Sequence, residues 1–267
     1  MKISVITVTY NSASTIVDTV ESVLGQTHPE IEYLIVDGAS TDQTLEKLEP
    51  CRDRLAGVLS EPDRGMYDAM NKGIARATGE VVAILNSDDV YANPEVLSKV
   101  AVAFAGEPGE PSDGGRTFLS ANEARHPDIV YGDLHYVSAD LSKVVRDWKS
   151  GSFTPGQFKR GWHPPHPSFF VRRGVYEQLG GYRLDLRIAA DYEFMLRVME
   201  KHERKAAYLP EVLVKMRTGG ESNRSIVNIW KANKECYRAW RMNEYGPITG
   251  AAAILRKPLS KLKQLRR

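Results

Sequence analysis

The sequence predicts an α/β protein whose core is an open, mostly parallel β-sheet flanked by helices. Apolar runs of strand length alternate with segments whose apolar residues recur at helical spacing, which is the rhythm of a parallel sheet with crossover helices. The run at 81–85 is apolar without interruption, as expected for a strand buried on both faces. The chain has 267 residues, 42% of them hydrophobic, which is enough for one large domain with appendages.

The elements are predicted in order along the chain. The first half predicts strands at 3–8, 31–36, 55–60 and 81–85, helices at 16–24, 67–77 and 94–104, and a helix start at 40–42. The second half predicts strands at 128–131, 168–171 and 206–216, a hairpin of 134–137 with 143–148, and helices at 175–179, 190–200 and 226–242. The strand at 206–216 is either a pair or one strand bent at Pro210.

Two segments fall outside this pattern. Residues 105–127 are rich in Gly, Pro and Glu and predict a mobile insertion within the main domain. We therefore expect a main domain over 1–220, followed by a C-terminal extension over 221–267 that consists of a helix and a basic amphipathic tail.

Composition excludes several classes of protein. No run of about 18 apolar residues exists, so no membrane-spanning helix is expected. The chain opens directly on a strand, which argues against a secretory signal, and a cytoplasmic location is expected. Cys51 and Cys236 are the only cysteines, which excludes a cysteine-based zinc site. Without its basic tail the chain has more acidic than basic residues and no reading motif, so nucleic-acid binding is not expected.

Polar residues follow each of the first four predicted strands. Thr9 and Asn11, then Asp37, then Asp63, and finally the pair at 88–89 would all lie at one edge of a parallel sheet, where ligands bind in such folds. Two adjacent carboxylates suit Mg²⁺ or Mn²⁺, and such an ion suits a phosphate-bearing substrate. Desolvating a carboxylate is costly, so both acids are expected to leave the interior at the strand end.

An alternative for this acidic pair stays open. Asp88 and Asp89 could instead cap a helix that begins near Pro94. The common phosphate-binding glycine motifs are absent from the sequence, and this favours a metal over a helix N-terminus for holding phosphates.

Five motifs in register resemble one known family. They are Val-Thr-Tyr-Asn at 8–11, Val-Asp-Gly-Ala-Ser-Thr-Asp-Gln-Thr at 36–44, Glu-Pro-Asp-Arg-Gly-Met-Tyr-Asp-Ala-Met-Asn-Lys-Gly at 61–73, Gly-Glu-Val-Val-Ala-Ile-Leu-Asn-Ser-Asp-Asp at 79–89, and Ala-Asp-Tyr-Glu at 190–193. Together they resemble the family 2 glycosyltransferases of bacterial polysaccharide and lipopolysaccharide synthesis. The resemblance implies a GT-A fold, which is a Rossmann-like, mostly parallel mixed sheet flanked by helices.

The resemblance also implies an activity. A family member of this type would move a sugar from a nucleotide-diphosphate donor, with UDP the first candidate, to a saccharide or lipid-linked acceptor, with inversion and with Mn²⁺ or Mg²⁺ as cofactor. A catalytically degenerate nucleotide-sugar-binding scaffold is the alternative, and the intact acidic residues speak against it. A nucleotidyltransferase would typically carry a glycine-rich basic loop after the first strand, which is absent here.

Roles for the donor-side residues follow from the same resemblance. Asp89 would bind the divalent ion, and Asp88 would contact the sugar or ribose beside it. The residues that would bind the remainder of the nucleotide sugar are Thr9, Tyr10, Asn11, Asp37 and Asp63.

Asp191 matches the family's catalytic base, which takes the proton from the acceptor hydroxyl. One positioned carboxylate suits this task, and no covalent intermediate is needed for an inverting transfer. Many members have Glu before this Asp, whereas this chain has Ala190. Asp191 could equally be a first-turn acid that stabilises its own helix.

Three residues are weaker candidates for contact with the acceptor or diphosphate. His163 and His166 lie in a proline-rich loop, and each could instead be a packed or solvent-facing loop residue. Asp133 ends a predicted strand and could instead cap a turn.

The C-terminal tail is basic and amphipathic. Residues 246–267 hold six basic residues and no acid, with leucines at helical spacing. Such a segment can lie on an anionic membrane surface, which predicts peripheral contact with the inner face of the cell membrane. A solvated, frayed end is the alternative, and the sequence does not indicate an oligomeric state.

Overall fold

A single mixed sheet organises the computed structural model, which describes residues 1–106, 126–218 and 226–264, without the side chains of 226–227 and 258–264. The strands are β1 (Ile3–Thr9), β2 (Ile31–Asp37), β3 (Gly57–Ser60), β4 (Val81–Ile84), β5 (Asp89–Tyr91), β6 (Ile129–Val137), β7 (Val144–Trp148), β8 (Phe169–Arg172) and β9 (Ala206–Arg217). Their order is β3-β2-β1-β4-β8-β6-β9-β5, and β7 pairs with β6.

Helices cover both faces of this sheet. The α-helices are α1 (Ile16–Leu24), α2 (Met66–Arg76), α3 (Val96–Ala105), α4 (Arg173–Leu179), α5 (Ala190–Met195), α6 (Ile226–Met242) and α7 (Pro247–Gln264). Short 3₁₀ helices span Glu46–Arg54, Phe158–Arg160 and His166–Ser168, and a π-helix over Leu196–Lys201 continues α5.

The continuous apolar runs fill two separate hydrophobic clusters. In β1, Ile3 and Val5 face the cluster under α1 and α3, whereas Ile6 and Val8 face the cluster under α2, α4, α5 and α6. All seven residues of β1 are buried, which is the pattern expected of a central strand covered on both faces. The expected α/β class with a mostly parallel sheet is confirmed.

The four N-terminal strands align their carboxyl ends at one edge. β1 pairs in parallel with β2 and β4, and β2 pairs in parallel with β3. Beyond β4 the sheet becomes mixed, because β8 is antiparallel to both β4 and β6. The predicted ligand-binding edge is therefore formed by the loops after β1 to β4.

The prediction for the acidic pair is wrong in one respect. β4 ends at Ile84, and the chain turns before Asp89 starts β5, which pairs antiparallel with β9 through Met216. Asp88 is half-exposed, as expected of an acid at a strand end, but Asp89 is completely buried. The sheet extends past the turn, so one carboxylate is enclosed by the strand that follows.

Other elements differ in detail from their predictions. The segment after Asp42 forms a 3₁₀ helix that contains Pro50, which lacks the amide hydrogen of a regular helical turn. The strands predicted at 128–131 and 134–137 are one strand, β6, and 206–216 is one strand, β9, with register shifts opposite Gly132 and Asp133. Most of the insertion predicted at 105–127 lies outside the described residues.

The C-terminal helices pack against the same core as the sheet. Cys236, Ala239 and Trp240 of α6 and Ala253 of α7 belong to the hydrophobic cluster that contains α2 and α5. A Cβ atom at Gly250 would lie 2.9 Å from Cβ of Trp240, so the absence of a side chain there lets α7 approach α6 closely. None of the helices in the described ranges has the length and hydropathy needed to cross a lipid bilayer.

The packing of α2 on the sheet gives a stability prediction. A Cβ atom at Gly73 would overlap Cγ2 of Ile6 and lie 3.2 Å from Cγ2 of Val36. Because both partners are buried in the sheet, Gly73→Ala should lower the free energy of unfolding by about 1–3 kcal/mol despite the better helix propensity of Ala. Denaturant titration measures the change.

Gly174→Ala is the matched control for this substitution. A Cβ atom there would approach side-chain atoms only at 4.0 Å, so this variant should be neutral or slightly stabilising. Equal stability of the two variants would contradict the close packing of α2 on β1.

Candidate active site

The loops after β1, β2 and β3 meet around Gly38. Its amide donates to the carbonyl of Thr9 at 2.9 Å, and a Cβ atom on it would lie 2.5 Å from Oδ2 of Asp63 and 3.5 Å from the ring of Tyr10. The structure therefore brings together Thr9, Tyr10 and Asp63, as the sequence predicted for one binding edge. The Tyr10 ring is 62% exposed and is available to a ligand.

Asp37 is buried beneath this loop and holds its shape. Its carboxylate accepts hydrogen bonds from the amide of Ser40 at 2.9 Å, from the Ser40 hydroxyl, and from the Ser60 hydroxyl at 2.7 Å. Asn11 also stabilises this loop. Its side-chain Oδ1 accepts from the backbone amide of Thr41 at 2.9 Å, and its backbone amide donates to Oγ of Ser40 at 2.8 Å. The buried Asp37 carboxylate therefore fixes the conformation of this loop through hydrogen bonds.

The turn after β4 carries the acidic pair. The Nδ2 of Asn86 donates to Oδ2 of Asp89 at 3.2 Å, and the Asp89 amide donates to the carbonyl of Asn86 at 3.1 Å. Within the described residues, Oδ1 of Asp89 and Oδ1 of Asn86 are buried and have no hydrogen-bond partner. Burial raises the pKa of Asp89 well above its ordinary value, and the nearby charge of Asp88 raises it further.

Arg217, at the end of β9, fixes the backbone of the same turn. Its guanidinium donates to the carbonyl of Asp88 at 2.7 Å and to the carbonyl of Ala139 at 2.8 Å, and it forms an ion pair with Asp18 of α1. The positive charge of Arg217 also opposes the rise in the pKa of Asp89. Ser12 and Ser87 share a hydrogen bond of 2.8 Å that joins this turn to the loop after β1.

Asp191 lies in the first turn of α5 and is half-exposed. Its Oδ1 accepts a hydrogen bond from the hydroxyl of Tyr67 at 3.1 Å and from the amide of Tyr192 at 2.7 Å. The Tyr67 hydroxyl is also 3.0 Å from the carbonyl of Ile188, so α2 holds both Asp191 and the segment before it. The first-turn position expected for Asp191 is present.

Tyr136 of β6 lies near the acids that follow β4, because Met216 of β9 pairs with Asp89 on one side and with Tyr136 on the other. Burial raises its pKa, Arg146 lowers it, and the negative charges of both Asp89 and Asp191 add to the rise. The Arg146 guanidinium lies 5.1 Å from the centre of the Tyr136 ring and 5.4 Å from that of Trp148, and the two rings are stacked. Ring contacts from Trp148 to His163 and from His163 to Tyr192 then connect this region to the residue that follows Asp191.

His166 is buried against the aromatic core. Its Nε2 forms a 2.8 Å hydrogen bond with the Tyr182 hydroxyl, and burial lowers its pKa while Asp191 opposes that change. His163 packs edge-on between Trp148 and Tyr192, with ring centres 5.3 and 5.5 Å away. Both histidines are thus packed loop residues, and both lie next to residues that border the site.

Asp133 forms structural contacts. One of its carboxylate oxygens accepts from the amide of Ser150 and from the hydroxyl of Tyr208, both at 2.8 Å. Burial raises its pKa, and these two hydrogen bonds oppose the rise. Asp133 therefore lies within β6 and connects it to distant segments, so the predictions that it ends a strand or caps a turn are wrong.

The donor set at the end of β4 suits a hard divalent cation. No group of three or more acidic, His or Cys side chains that could hold a metal occurs among the described residues. Mg²⁺ and Mn²⁺ sites that use substrate phosphates need only one or two carboxylates from the protein. The unpartnered oxygens of Asp89 and Asn86, together with half-exposed Asp88, fit such a site.

Four residues of this region are not predicted from the sequence. Tyr67 and Asn86 lie within the motifs at 61–73 and 79–89, so their motif positions were a usable signal. Tyr136 and Arg217 come from distant strands that carry no motif, and only the tertiary structure places them beside the acids.

The burial of Asp89 predicts how stability depends on pH. Because folding raises its pKa, ionised Asp89 destabilises the folded state at neutral pH, and this cost disappears as pH falls below the unfolded value of about 4. Asp89→Asn should therefore raise the melting temperature of the metal-free protein at neutral pH, with a gain that shrinks towards pH ~4. Calorimetry in a chelating buffer measures this difference.

Asp140→Asn is a control of opposite sign. Hydrogen bonds from Ser138 and Ser142 lower the pKa of Asp140 to about 2, so its ionised form stabilises the fold above its unfolded pKa and that stability is lost as pH falls. This variant should lower the melting temperature at neutral pH. A lower melting temperature of Asp89→Asn at neutral pH would contradict the inference that burial of the ionised Asp89 carboxylate destabilises the fold.

Comparison with known proteins identifies the family of this chain. The model of the glycosyl transferase family 2 matches residues 4–115. A PGL/p-HBAD biosynthesis glycosyltransferase of Mycobacterium bovis is 32% identical over 230 residues, which are 84% of this chain and 80% of the relative.

Two solved structures share the fold. One is TarS 1-349 of S. aureus in complex with UDP-GlcNAc, with a TM-score of 0.68, 23% identity, and coverage of 91% of this chain and 65% of that chain. The other is the mannosyltransferase PcManGT of Pyrobaculum calidifontis in complex with GDP-Man and Mn²⁺, with a TM-score of 0.61, 20% identity, and coverage of 96% of this chain and 72% of that chain. With its sheet of GT-A type and its family 2 sequence, this chain belongs to the family 2 glycosyltransferases and is a transferase enzyme.

Proposed function

We propose that this chain transfers a sugar from a nucleotide-diphosphate donor to a hydroxyl of a saccharide or lipid-linked acceptor, with inversion at the transferred carbon. The observation that carries the proposal is the placement of acids on two sides of one region. Asp88 lies in the turn after β4 and Asp89 starts β5, Asp191 lies in the first turn of α5, and the charges of Asp89 and Asp191 both raise the pKa of Tyr136.

The donor would bind along the edge formed by the loops after β1 to β4. The exposed ring of Tyr10 offers a surface for the base, Thr9, Asn11 and Asp37 shape the pocket, and Asp63 lies beside Gly38. Structural neighbours were solved with UDP-GlcNAc and with GDP-Man, and these compounds support a nucleotide sugar as donor. UDP is the first nucleotide to test.

A divalent cation, Mn²⁺ or Mg²⁺, would be held by Asp88 and Asp89. Such an ion offsets the negative charge that develops on the departing diphosphate. The unpartnered Oδ1 of Asp89 supports this assignment, since a buried carboxylate oxygen without a hydrogen-bond donor is costly unless a cation occupies its site. The PcManGT structure contains Mn²⁺ and supports testing that ion first.

Asp191 would accept the proton of the acceptor hydroxyl. Its half-exposed carboxylate can reach a bound alcohol, and the Tyr67 hydroxyl holds it in one orientation. We assign the acceptor side to the region near His163, His166 and Asp133, of which His163 has the most direct contact with the residues after Asp191. The transfer machinery would occupy residues 1–220, and cell-surface polysaccharide assembly is the process proposed for it.

Asp191→Asn tests the function directly. The wild-type protein with Mn²⁺ should release nucleotide diphosphate from one of a panel of UDP-, GDP- and dTDP-sugars when a glycolipid acceptor extract is present. The variant keeps the shape of the side chain and loses its basicity, so its kcat should fall by about 10²–10⁴-fold with nearly unchanged donor affinity.

Glu177→Gln is the matched control, because this exposed acid on α4 pairs only with Arg173 at the surface among the contacts described. Its turnover should equal that of the wild type. Retained turnover in Asp191→Asn would remove that residue from the role of base.

We also propose that the C-terminal helices contact an anionic membrane surface, which places the enzyme at the cytoplasmic face of the cell membrane. Gly250 and Ala253 of α7 face the protein, whereas Ile248 and Leu255 are 84% and 77% exposed. On α6, Trp230 is 64% exposed and lies under the ammonium of Lys234. Apolar groups beside basic ones are the surface that binds anionic lipid.

Replacing both Ile248 and Leu255 by Ser tests this contact. The double variant should bind vesicles that contain phosphatidylglycerol about 10-fold more weakly, because two large apolar side chains no longer enter the interface. A Ser replacement of the exposed Val144 and Val145 on β7 controls for general loss of surface hydrophobicity. Equal vesicle binding by the wild type, the Ile248/Leu255 variant and the Val144/Val145 variant would rule out the membrane contact.

A further inference from the structure

Glu235, on α6, binds the backbone of the segment that leads into α5. Its Oε2 accepts hydrogen bonds from the amides of Ile188 at 2.7 Å and Ala189 at 3.0 Å, and its Oε1 accepts from the amide of Arg187 at 3.1 Å. Three consecutive amides that point at one carboxylate form a concave anion site. Here that site is filled from a helix 46 residues away in the sequence.

Glu235 binds the amides that lead into α5, whose own start has no side-chain cap. The residue before the helix is Ala189, which has no side-chain oxygen and makes no side-chain capping bond. Amides at a helix start need acceptors, and an acid near them is also favoured by the helix dipole. An N-cap side chain would accept from the second or third amide of the helix, and here the Tyr192 amide donates to Asp191 instead. Glu235 therefore holds the chain that enters α5 and does not cap the helix itself.

The same peptide unit connects Glu235 to Asp191. The amide of Ala189 and the carbonyl of Ile188 belong to one peptide group, whose N–H donates to Glu235 and whose oxygen accepts from the Tyr67 hydroxyl at 3.0 Å. That hydroxyl also lies 3.1 Å from Oδ1 of Asp191. A shift of this peptide would therefore move the partner that orients the Asp191 carboxylate.

Other contacts from α6 secure the residues that follow Asp191. Nε1 of Trp240 donates to the hydroxyl of Tyr192 at 3.0 Å, and Nδ2 of Asn243 donates to Oε1 of Glu193 at 3.0 Å. These bonds hold the first turn of α5 after Asp191, whereas Glu235 holds the chain before it. Of these three residues, of which Asn243 directly follows α6, Glu235 is the one that binds the peptide whose oxygen accepts from Tyr67.

We propose that Glu235 is a positioning residue for transfer, which fixes the peptide at 188–189 and thereby the orientation of Tyr67 and Asp191. The proposal rests on the function proposed above. A residue of the C-terminal extension would then contribute to the acceptor side of the site. The competing explanation is that these hydrogen bonds of Glu235 stabilise the fold and have no effect on transfer.

Steady-state kinetics of Glu235→Ala and Glu235→Gln separate these explanations. In Glu235→Ala, kcat should fall by about 100-fold with a donor KM close to that of the wild type, since small displacements of a catalytic group cost rate. Glu235→Gln should be intermediate, because its carbonyl oxygen can still accept the amides of Ile188 and Ala189. Asn233→Ala, an exposed change on the same helix, should equal the wild type.

Hydrogen exchange provides a readout that does not depend on turnover. The amides of 187–189 should exchange faster in Glu235→Ala than in the wild type or in Asn233→Ala. Unchanged exchange would show that Glu235 does not hold this segment. Wild-type kcat in either Glu235 variant, or a loss that appears in donor KM, would overturn the positioning role. If Glu235→Ala does not fold, Glu235→Gln carries both tests. If the wild type transfers no sugar, the proposed function fails, while the exchange experiment still decides whether Glu235 holds the segment 187–189.

Discussion

Burial of the parallel strands on both faces is the constraint on which the rest of the structure depends. Because β1, β2 and β4 have no solvated face, most of their side chains are apolar, and polar side chains collect where the strands end. Asp37 ends β2, Asp63 follows β3 and Asp88 follows β4 at the same edge. Asp89 is buried just beyond that edge, and its burial opposes ionisation of its carboxyl group and raises its pKa.

The sequence predicts most of the fold because its local signals agree with the tertiary structure. Continuous apolar runs mark β1, β2 and β4, and helical spacing marks α1, α2 and α6. The failures have physical causes. Pro50 prevents a regular helix after Asp42, and the pairing of β9 with both β5 and β6 joins segments that look separate along the chain. Strand pairing over such distances leaves no local periodicity to detect.

The candidate site is predictable only where its residues belong to contiguous motifs. Thr9, Asp37 and Asp191 could be named from the sequence, since each follows a strand or opens a helix within a recognisable motif. Arg217 and Glu235 could not be named, because each acts on backbone atoms far away in the sequence. Backbone amides and carbonyls are common to every residue, so a side chain that binds them leaves no signature in the identity of its partners.

The Tyr67 hydroxyl has one hydrogen and two acceptors, the carbonyl of Ile188 and the carboxylate of Asp191. An ionised Asp191 attracts that hydrogen strongly, because bonds to a charged acceptor are the stronger ones. In the proposed transfer, the hydrogen can rotate to Ile188 once Asp191 has taken up a proton, without breaking a covalent bond. The second acceptor would thus give the phenol a hydrogen-bond partner before and after that step.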